Sequence, residues 1–166
     1  LHGLHQTPKG PSVRYEPFGP WLLPWEFANA GAEYDALRAR AGLADYSTCG
    51  FLECQGADRV SFLQRLLTND LRPLTPGMSG PAALLTSNGK LIAEVLVIAS
   101  EQSHWLMCDL RQADALAHEL AKYHFSEQVT IFNQERRYGV IGLHGPALPE
   151  RMLKLWANAP KVPRPG

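Results

Sequence analysis

The stretch that decides the fold is residues 82–99, which read AALLTSNGKLIAEVLVIA. Two apolar runs, 82–86 and 91–99, flank the turn segment Ser87-Asn88-Gly89-Lys90. Asn and Gly both tolerate a positive φ, so Asn88-Gly89 between two apolar runs predicts a tight β-hairpin. The hairpin in turn predicts an antiparallel sheet in the middle of the chain.

Helices and further strands are predicted on both sides of this hairpin. The spacing of apolar residues predicts helices over 32–41, 56–68 and 111–125, and strands over 51–55, 104–110, 129–132 and 138–143. Strands joined by a hairpin, with helices inserted at two places, indicate an α+β fold with a ferredoxin-like sheet covered by helices on one face. The Pro-rich residues 1–30 predict an extended arm, and residues 149–157 predict a short helix.

Length, charge and cysteine count restrict the class of protein. A chain of 166 residues with 45% hydrophobic residues can bury a core as one domain or two small ones. Sixteen Lys and Arg balance sixteen Asp and Glu, which argues against direct nucleic-acid binding. The sequence has no apolar run of about 18 residues and no signal-peptide pattern, so we expect no membrane association. Three cysteines favour a reducing, cytoplasmic compartment.

Two acidic residues near strand ends are candidates for binding chemistry. Glu94 is the only charge in the apolar run 91–99, where it is either an edge-strand charge facing water or a pocket residue that binds a ligand amine. Asp109 ends the strand WLMCD and is either the N-cap of the next helix or a polar group at the rim of a pocket. The sequence leaves both pairs of alternatives open.

Local spacing predicts no catalytic constellation and no metal site. The three cysteines, Cys49, Cys54 and Cys108, form no C-x-x-C motif, and the six histidines form no H-x-H or H-E-x-x-H motif. The sequence also lacks a Walker A motif and a nucleophile elbow. We therefore predict inert cysteines, no metal and no assigned catalytic residue.

Several segments resemble one superfamily, the folate-binding T-protein/YgfZ superfamily. Residues 41–47, AGLADYS, resemble its "AGLFD-S" turn. Residues 56–70, GADRVSFLQRLLTND, resemble its "GxDAxxFLxxLLTND" helix, and residues 83–92, ALLTSNGKLI, match its "LLTxxGKI" hairpin. Residues 142–146, GLHGP, and the arm 18–21, FGPW, add support. The resemblance covers about residues 15–150.

The resemblance implies a tetrahydrofolate-binding protein built of three lobes, of which this chain supplies the N-terminal part. It implies a ferredoxin-like lobe at 51–136, inserted in a second antiparallel α+β lobe made of 1–50 and 137–166. By carry-over from the family, the residues that line the pocket for the pteridine or aminobenzoyl group are Cys49, Leu84, Glu94, Asp109 and Arg111.

The motifs differ between the branches of the superfamily. The aminomethyltransferase hairpin continues as "GGIxDD", and the matching positions here are Ala93 and Glu94. Because alanine cannot exchange a proton, the resemblance favours a YgfZ-type protein that acts in iron–sulfur protein maturation or repair, or in tRNA modification. Its partners would be folate and iron–sulfur proteins. The alternatives are a folate-dependent aminomethyltransferase or demethylase that works with a lipoyl carrier protein, and a structural lobe that binds nothing alone.

Overall fold

A computed structural model of the chain describes residues 13–18, 21–27, 29–134 and 138–148. These residues form two compact units, one drawn from Leu1–Asp45 and Ile141–Gly166 and the other from Tyr46–Val140. The second unit is therefore continuous in sequence, and in chain order it comes between the two segments of the first unit. The helix predicted over 149–157 falls outside the described residues.

The described elements are the following, in chain order: β1 (Arg14–Phe18), β2 (Trp21–Glu26), α1 (Ala30–Ala39), β3 (Gly42–Asp45), β4 (Cys49–Gln55), α2 (Arg59–Leu66), β5 (Ser79–Leu85), β6 (Leu91–Ala99), β7 (Ser103–Asp109), a 3₁₀ turn (Leu110–Gln112), α3 (Ala113–Lys122), β8 (Thr130–Asn133) and β9 (Ile141–His144).

The described residues of the first unit form two small antiparallel ribbons and one helix. Strands β1 and β2 pair with each other, and β3 pairs with β9. Helix α1 begins at Asn29, whose side-chain Oδ1 accepts the backbone N–H of Ala32 at 3.0 Å and so satisfies one of the free donors of the first turn. Within the predicted extended arm 1–30, the described residues 14–18 and 21–26 form a paired ribbon.

The second unit is a five-stranded antiparallel sheet in the order β5-β6-β7-β4-β8. Without the edge strand β5, the four strands β4, β6, β7 and β8 have the connectivity and order of a ferredoxin-like sheet. Helices α2 and α3 cover one face together. The core between them contains Leu52, Cys54, Phe62, Leu63, Ala93, Val95, Val97, Leu106, Leu116 and Leu120.

A glycine turn connects β4 to α2. Gly56 has a φ of +115°, and a Cβ atom built on it would lie 1.9 Å from the backbone oxygen of Gln128. Only glycine fits this close approach without displacing the backbone. Asp58 adds to the same junction, because its Oδ2 accepts the backbone N–H of Gln128 at 2.8 Å. The turn therefore fixes the start of α2 against the segment that leads into β8.

The structure confirms the predicted α+β class, its antiparallel sheets and the central hairpin. No helix in the described part of the chain has the length and apolarity needed to cross a membrane.

Candidate functional site

The side chains of strand β6 alternate between the two faces of the sheet. Ala93, Val95 and Val97 point into the core beneath the helices, and Ala93 is 0% exposed. Glu94 and Leu96 point to the opposite face, which the two helices leave uncovered. We call this second face the open face.

A groove of about 450 Å³ lies on the open face next to Glu94. Three neighbouring strands and the segment that follows α2 form its walls. The lining residues are Thr68, Asn69, Pro81, Ala82, Ala83, Glu94, Val95, Leu96 and Met107. The groove has apolar walls with a few polar groups, which is typical of small-molecule sites.

Among the residues that the structure describes, Glu94 is the only ionisable one that lines this groove. Its side chain is exposed, and it has no hydrogen-bond or ion-pair partner among the residues that the structure describes. A carboxylate accepts hydrogen bonds but cannot donate them when it is ionised. The groove is therefore suited to a ligand that presents N–H donors or a positive charge. Strand β6 lies between β5 and β7, so the prediction that Glu94 stands on an edge strand is wrong. Glu94 is exposed and lines the groove, and its binding of a ligand amine stays a prediction.

Three further predicted site residues lie at the same end of the open face. Asp109 and Cys49 are paired across β7 and β4. Leu96 pairs with Met107 across β6 and β7. Glu94 lies two residues before Leu96, and Asp109 lies two residues after Met107. In an antiparallel pair the two acids therefore share one face and one end of the sheet. Cys49, Asp109 and Arg111 do not line the groove itself.

The Asp109 carboxylate makes its hydrogen bonds to a residue close to it in sequence. Asp109 caps the 3₁₀ turn by accepting the backbone N–H of Arg111 at 2.9 Å, and its carboxylate also binds the Arg111 side chain at 2.9 and 2.5 Å. The side-chain hydrogen bonds from Arg111 lower the pKa of Asp109 below its usual value. The capping interpretation of Asp109 is therefore confirmed.

Cys49 lies beside this pair in an environment that disfavours a thiolate. Burial raises the pKa of the Cys49 thiol, and the nearby Asp109 carboxylate raises it further. Burial likewise raises the pKa of Cys54 to about 12. Because the thiolate is the reactive form of cysteine, neither residue has the properties of a nucleophile. No group of three or more potential metal ligands is found among the described residues.

The structure corrects the position expected for Leu84. This residue is 1% exposed and lies in the core, so its side chain cannot contact a ligand in the groove. Ala83 pairs with Glu94 and lines the groove instead. In the turn, the N–H of Gly89 donates to the oxygen of Thr86, and a register shift between Leu84 and Leu85 follows, so that Leu84 pairs with Ala93 and Ala83 with Glu94. Because paired residues share a face, Leu84 lies on the core side with Ala93, and Ala83 lies on the open face with Glu94.

Among the described residues that line the groove, the sequence prediction named Glu94 and missed the others, including Thr68, Asn69 and Met107. Thr68 and Asn69 belong to the "LLTND" segment that carried the family resemblance, but that motif gave them no role. Met107 pairs with Leu96 across β6 and β7, so its place follows from the strand register alone.

A second hollow, of about 330 Å³, lies within the first unit between α1 and the β3–β9 ribbon. Its polar groups are the carboxyl groups of Glu33 and Asp45, and the Glu33 side chain already accepts the backbone N–H of Phe27 at 2.7 Å. The remaining lining residues are Ala36, Leu37, Gly42, Leu43, Ala44 and Ile141. None of the predicted site residues lines this hollow.

Comparison with known proteins relates this architecture to one enzyme group. The aminomethyltransferase of Bacillus subtilis (strain 168) is 35% identical over 144 residues, which are 86% of this chain and 39% of that relative. The aminomethyltransferase of Lysinibacillus sphaericus (strain C3-41) is 33% identical over 139 residues, which cover 83% of this chain and 38% of that relative. The chain thus spans about two fifths of the length of these relatives.

A solved structure shares the fold. The glycine cleavage system aminomethyltransferase T from Bartonella henselae matches with a TM-score of 0.77 and 24% sequence identity. The match covers 86% of this chain and 39% of that protein. The family model of the GCVT N-terminal domain matches residues 4–160, nearly the whole length. This chain therefore belongs to the GCVT N-terminal domain family.

Proposed function

We propose that this chain forms the reduced-folate-binding part of an aminomethyltransferase-like protein. The observation that carries the proposal is the Glu94 carboxylate, which faces the groove on the open face and has no partner among the described residues. The names of the relatives and the motifs shared with the folate-binding superfamily support the same assignment.

The groove has the chemistry that a reduced pterin requires. Its volume of about 450 Å³ lies within the range of about 300–1,000 Å³ that is usual for small-molecule sites. Leu96 and Met107 offer apolar surface to the face of a ring, and Glu94 offers an acceptor to the ring's N–H groups. Tetrahydrofolate presents both features, a flat heterocycle and several N–H donors.

The geometry of β6 favours the aminomethyltransferase reading over the YgfZ reading. The YgfZ reading depended on alanine at position 93, where the transferase motif has an acid. Ala93 is enclosed in the core, so a side chain at this position does not reach the groove, whereas Glu94 does. The relatives named above are aminomethyltransferases, and nothing among them supports a YgfZ role or iron–sulfur protein partners.

In this proposal, the methylene carbon of an aminomethyl group on a lipoyl carrier protein passes to two nitrogens of the folate. Its bonds to the carrier sulfur and to the amino nitrogen break, and the two folate N–H protons leave with the carrier thiol and with ammonia. Glu94 binds the N–H groups of the folate and fixes its orientation, and it can hold a proton at the carboxylate during transfer. Leu96 and Met107 exclude water from one side of the ring. Asp109 and Arg111 order the neighbouring strand end through their own ion pair.

Titration with 5-formyltetrahydrofolate, a chemically stable reduced folate, tests the proposal. We expect Glu94→Gln to raise the dissociation constant about tenfold, which is about 1.4 kcal/mol and near the value of one hydrogen bond to a charged group. Glu101→Gln is the matched control, because Glu101 is exposed in the turn after β6 and makes the same charge change away from the groove. No binding by the wild type, or equal weakening by both variants, would contradict the proposal.

A further inference from the structure

Strand β5 forms one edge of the five-stranded sheet and also one wall of the groove. In an antiparallel pair, alternate residues direct their backbone groups toward the partner strand and away from it. Pro81 and Ala83 are two residues of β5 whose backbone groups point outward, as their hydrogen bonds to the segment after α2 show. A proline fits at such an outward position, since it has no N–H to leave unpaired.

Two residues after α2 satisfy these outward groups. The backbone N–H of Thr68 donates to the oxygen of Ala83 at 3.0 Å, and the N–H of Ala83 donates to Thr68 Oγ1 at 3.0 Å. The side-chain Nδ2 of Asn69 donates to the oxygen of Pro81 at 2.7 Å. Thr68 and Asn69 thus occupy the place that a sixth strand would take. We call these two residues the edge cap.

The edge cap acts on the part of β5 that faces the site. Ala83 pairs with Glu94, and Pro81 pairs with Leu96. The two residues that the cap binds are therefore the direct partners of Glu94 and Leu96, the two groove-lining residues of β6 that belong to the open face. A row of contacts runs from Thr68 through Ala83 to Glu94.

The edge cap is itself held in place at both ends. On one side, the backbone N–H of Leu67 donates to the oxygen of Leu63 in α2, and Leu67 is bridged to Leu84 of β5. On the other side, the backbone N–H of Leu71 donates to Gln64 Oε1 at 2.7 Å. The cap is thus an ordered segment rather than a free loop that touches the sheet.

We propose that Thr68 and Asn69 are positioning residues that hold β5, and through it Glu94, in the geometry of the groove. This inference rests on the proposed folate site and assigns a role to the "TND" segment that sequence comparison left without one. The cap also closes the outward backbone groups of Pro81 and Ala83, which would otherwise remain open to pairing with another strand.

A positioning role predicts a specific pattern of effects. Thr68 and Asn69 are exposed, so water can replace their hydrogen bonds and the fold should survive their loss. We therefore expect the melting temperature of the variants to stay within about 4 °C of the wild type. Local order at β5 should fall much more than global stability, because only the edge of the sheet is released.

The experiment compares three variants of the full chain. Thr68→Val removes the hydroxyl at nearly constant shape, Thr68→Ser retains it, and Thr130→Val makes the same change at an exposed position on β8, the opposite edge of the sheet. Amide hydrogen exchange at Ala83 reports the cap, and the dissociation constant for 5-formyltetrahydrofolate reports the groove.

In Thr68→Val we expect exchange at Ala83 to accelerate at least tenfold and the dissociation constant to rise about fivefold, while Thr68→Ser and Thr130→Val stay close to the wild type. Unchanged protection of Ala83 would overturn the proposal, and so would lost protection with unaltered binding. If the wild type binds no reduced folate, the proposed function fails. The NMR signal of the Glu94 carboxyl carbon then decides the positioning role: a shift in Thr68→Val supports it, and an unmoved signal refutes it.

Discussion

Substituting Ala93 by aspartate tests the assignment of faces on which the functional argument depends. In the family motif an acid stands at this position, so Ala93→Asp would restore the motif by sequence. In the structure, Ala93 is 0% exposed and belongs to the core between the sheet and the helices. We therefore expect the substitution to destabilise the second unit rather than to create a functional acid.

The magnitude follows from burial. Removing an ionised carboxylate from water without a partner costs several kcal/mol, even after relaxation of the surroundings. The larger side chain adds about 1–3 kcal/mol of overpacking at a site filled by a methyl group. A total of about 4 kcal/mol or more is a large part of the roughly 5–15 kcal/mol that stabilises a typical domain.

Urea unfolding followed by tryptophan fluorescence measures this loss, because Trp105 lies in β7 of the same sheet. Glu94→Asp places the same residue one position further on, on the open face, and should change the free energy of unfolding by less than about 0.5 kcal/mol. Acid should reduce the deficit of Ala93→Asp, since burial raises the pKa of the new carboxyl and the neutral form costs less. A loss below about 1 kcal/mol at neutral pH would mean that the strand register is shifted by one residue.

Further predictions concern pH and backbone strain. Burial, together with the charge of Arg59, lowers the pKa of His104 in the folded state. The stability that neutral His104 allows should therefore be fully present above about pH 6.5 and fall as the pH drops below that value. His104→Asn should flatten this fall when the free energy of unfolding is measured from pH 8 to 5. The hydrogen bond from Arg65 lowers the pKa of Glu127 to about 2. The stability that this carboxylate contributes should therefore be present above pH 4.5 and be lost between pH 4.5 and about pH 2. Arg65→Met should remove most of this acid-dependent loss when the melting temperature is measured across the same pH range. Gly56→Ala should destabilise the chain by about 2 kcal/mol or more in urea unfolding, since the new Cβ meets a backbone oxygen, whereas Gly89→Ala, also at positive φ but in open space, should cost no more than about 1–2 kcal/mol.

The hairpin was predictable because its signals are local. Asn88-Gly89 specifies a tight turn, and the structure has β5 and β6 on either side of it. The ribbon of β1 and β2 was not predictable in the same way, because Pro17 and Pro24 obscure the strand pattern. In the described part of the chain these strands form a two-stranded ribbon, and the outer side of each strand pairs with no described strand, so a proline without an N–H fits there.

The face of β6 could not be assigned from its own sequence. Residues on both faces of this strand are apolar apart from Glu94, so alternation alone does not say which face the helices cover. The decision depends on Phe62 and Leu63 of α2 and on Leu116 of α3, which pack on the Ala93 side. These residues are distant in sequence, and their packing is a tertiary event.

This dependence on tertiary packing explains why motif matching and geometry point to different branches. When a motif is compared position by position, the faces of the strand are ignored, and alanine at position 93 then indicates that an acid has been lost. On a strand the two positions lie on opposite faces, so a carboxylate at 94 reaches the groove whatever residue stands at 93. In the proposed function, Glu94 is therefore the acid that contacts the folate. Alanine at 93 is explained by its enclosed position, where a small apolar side chain fits and a charge does not.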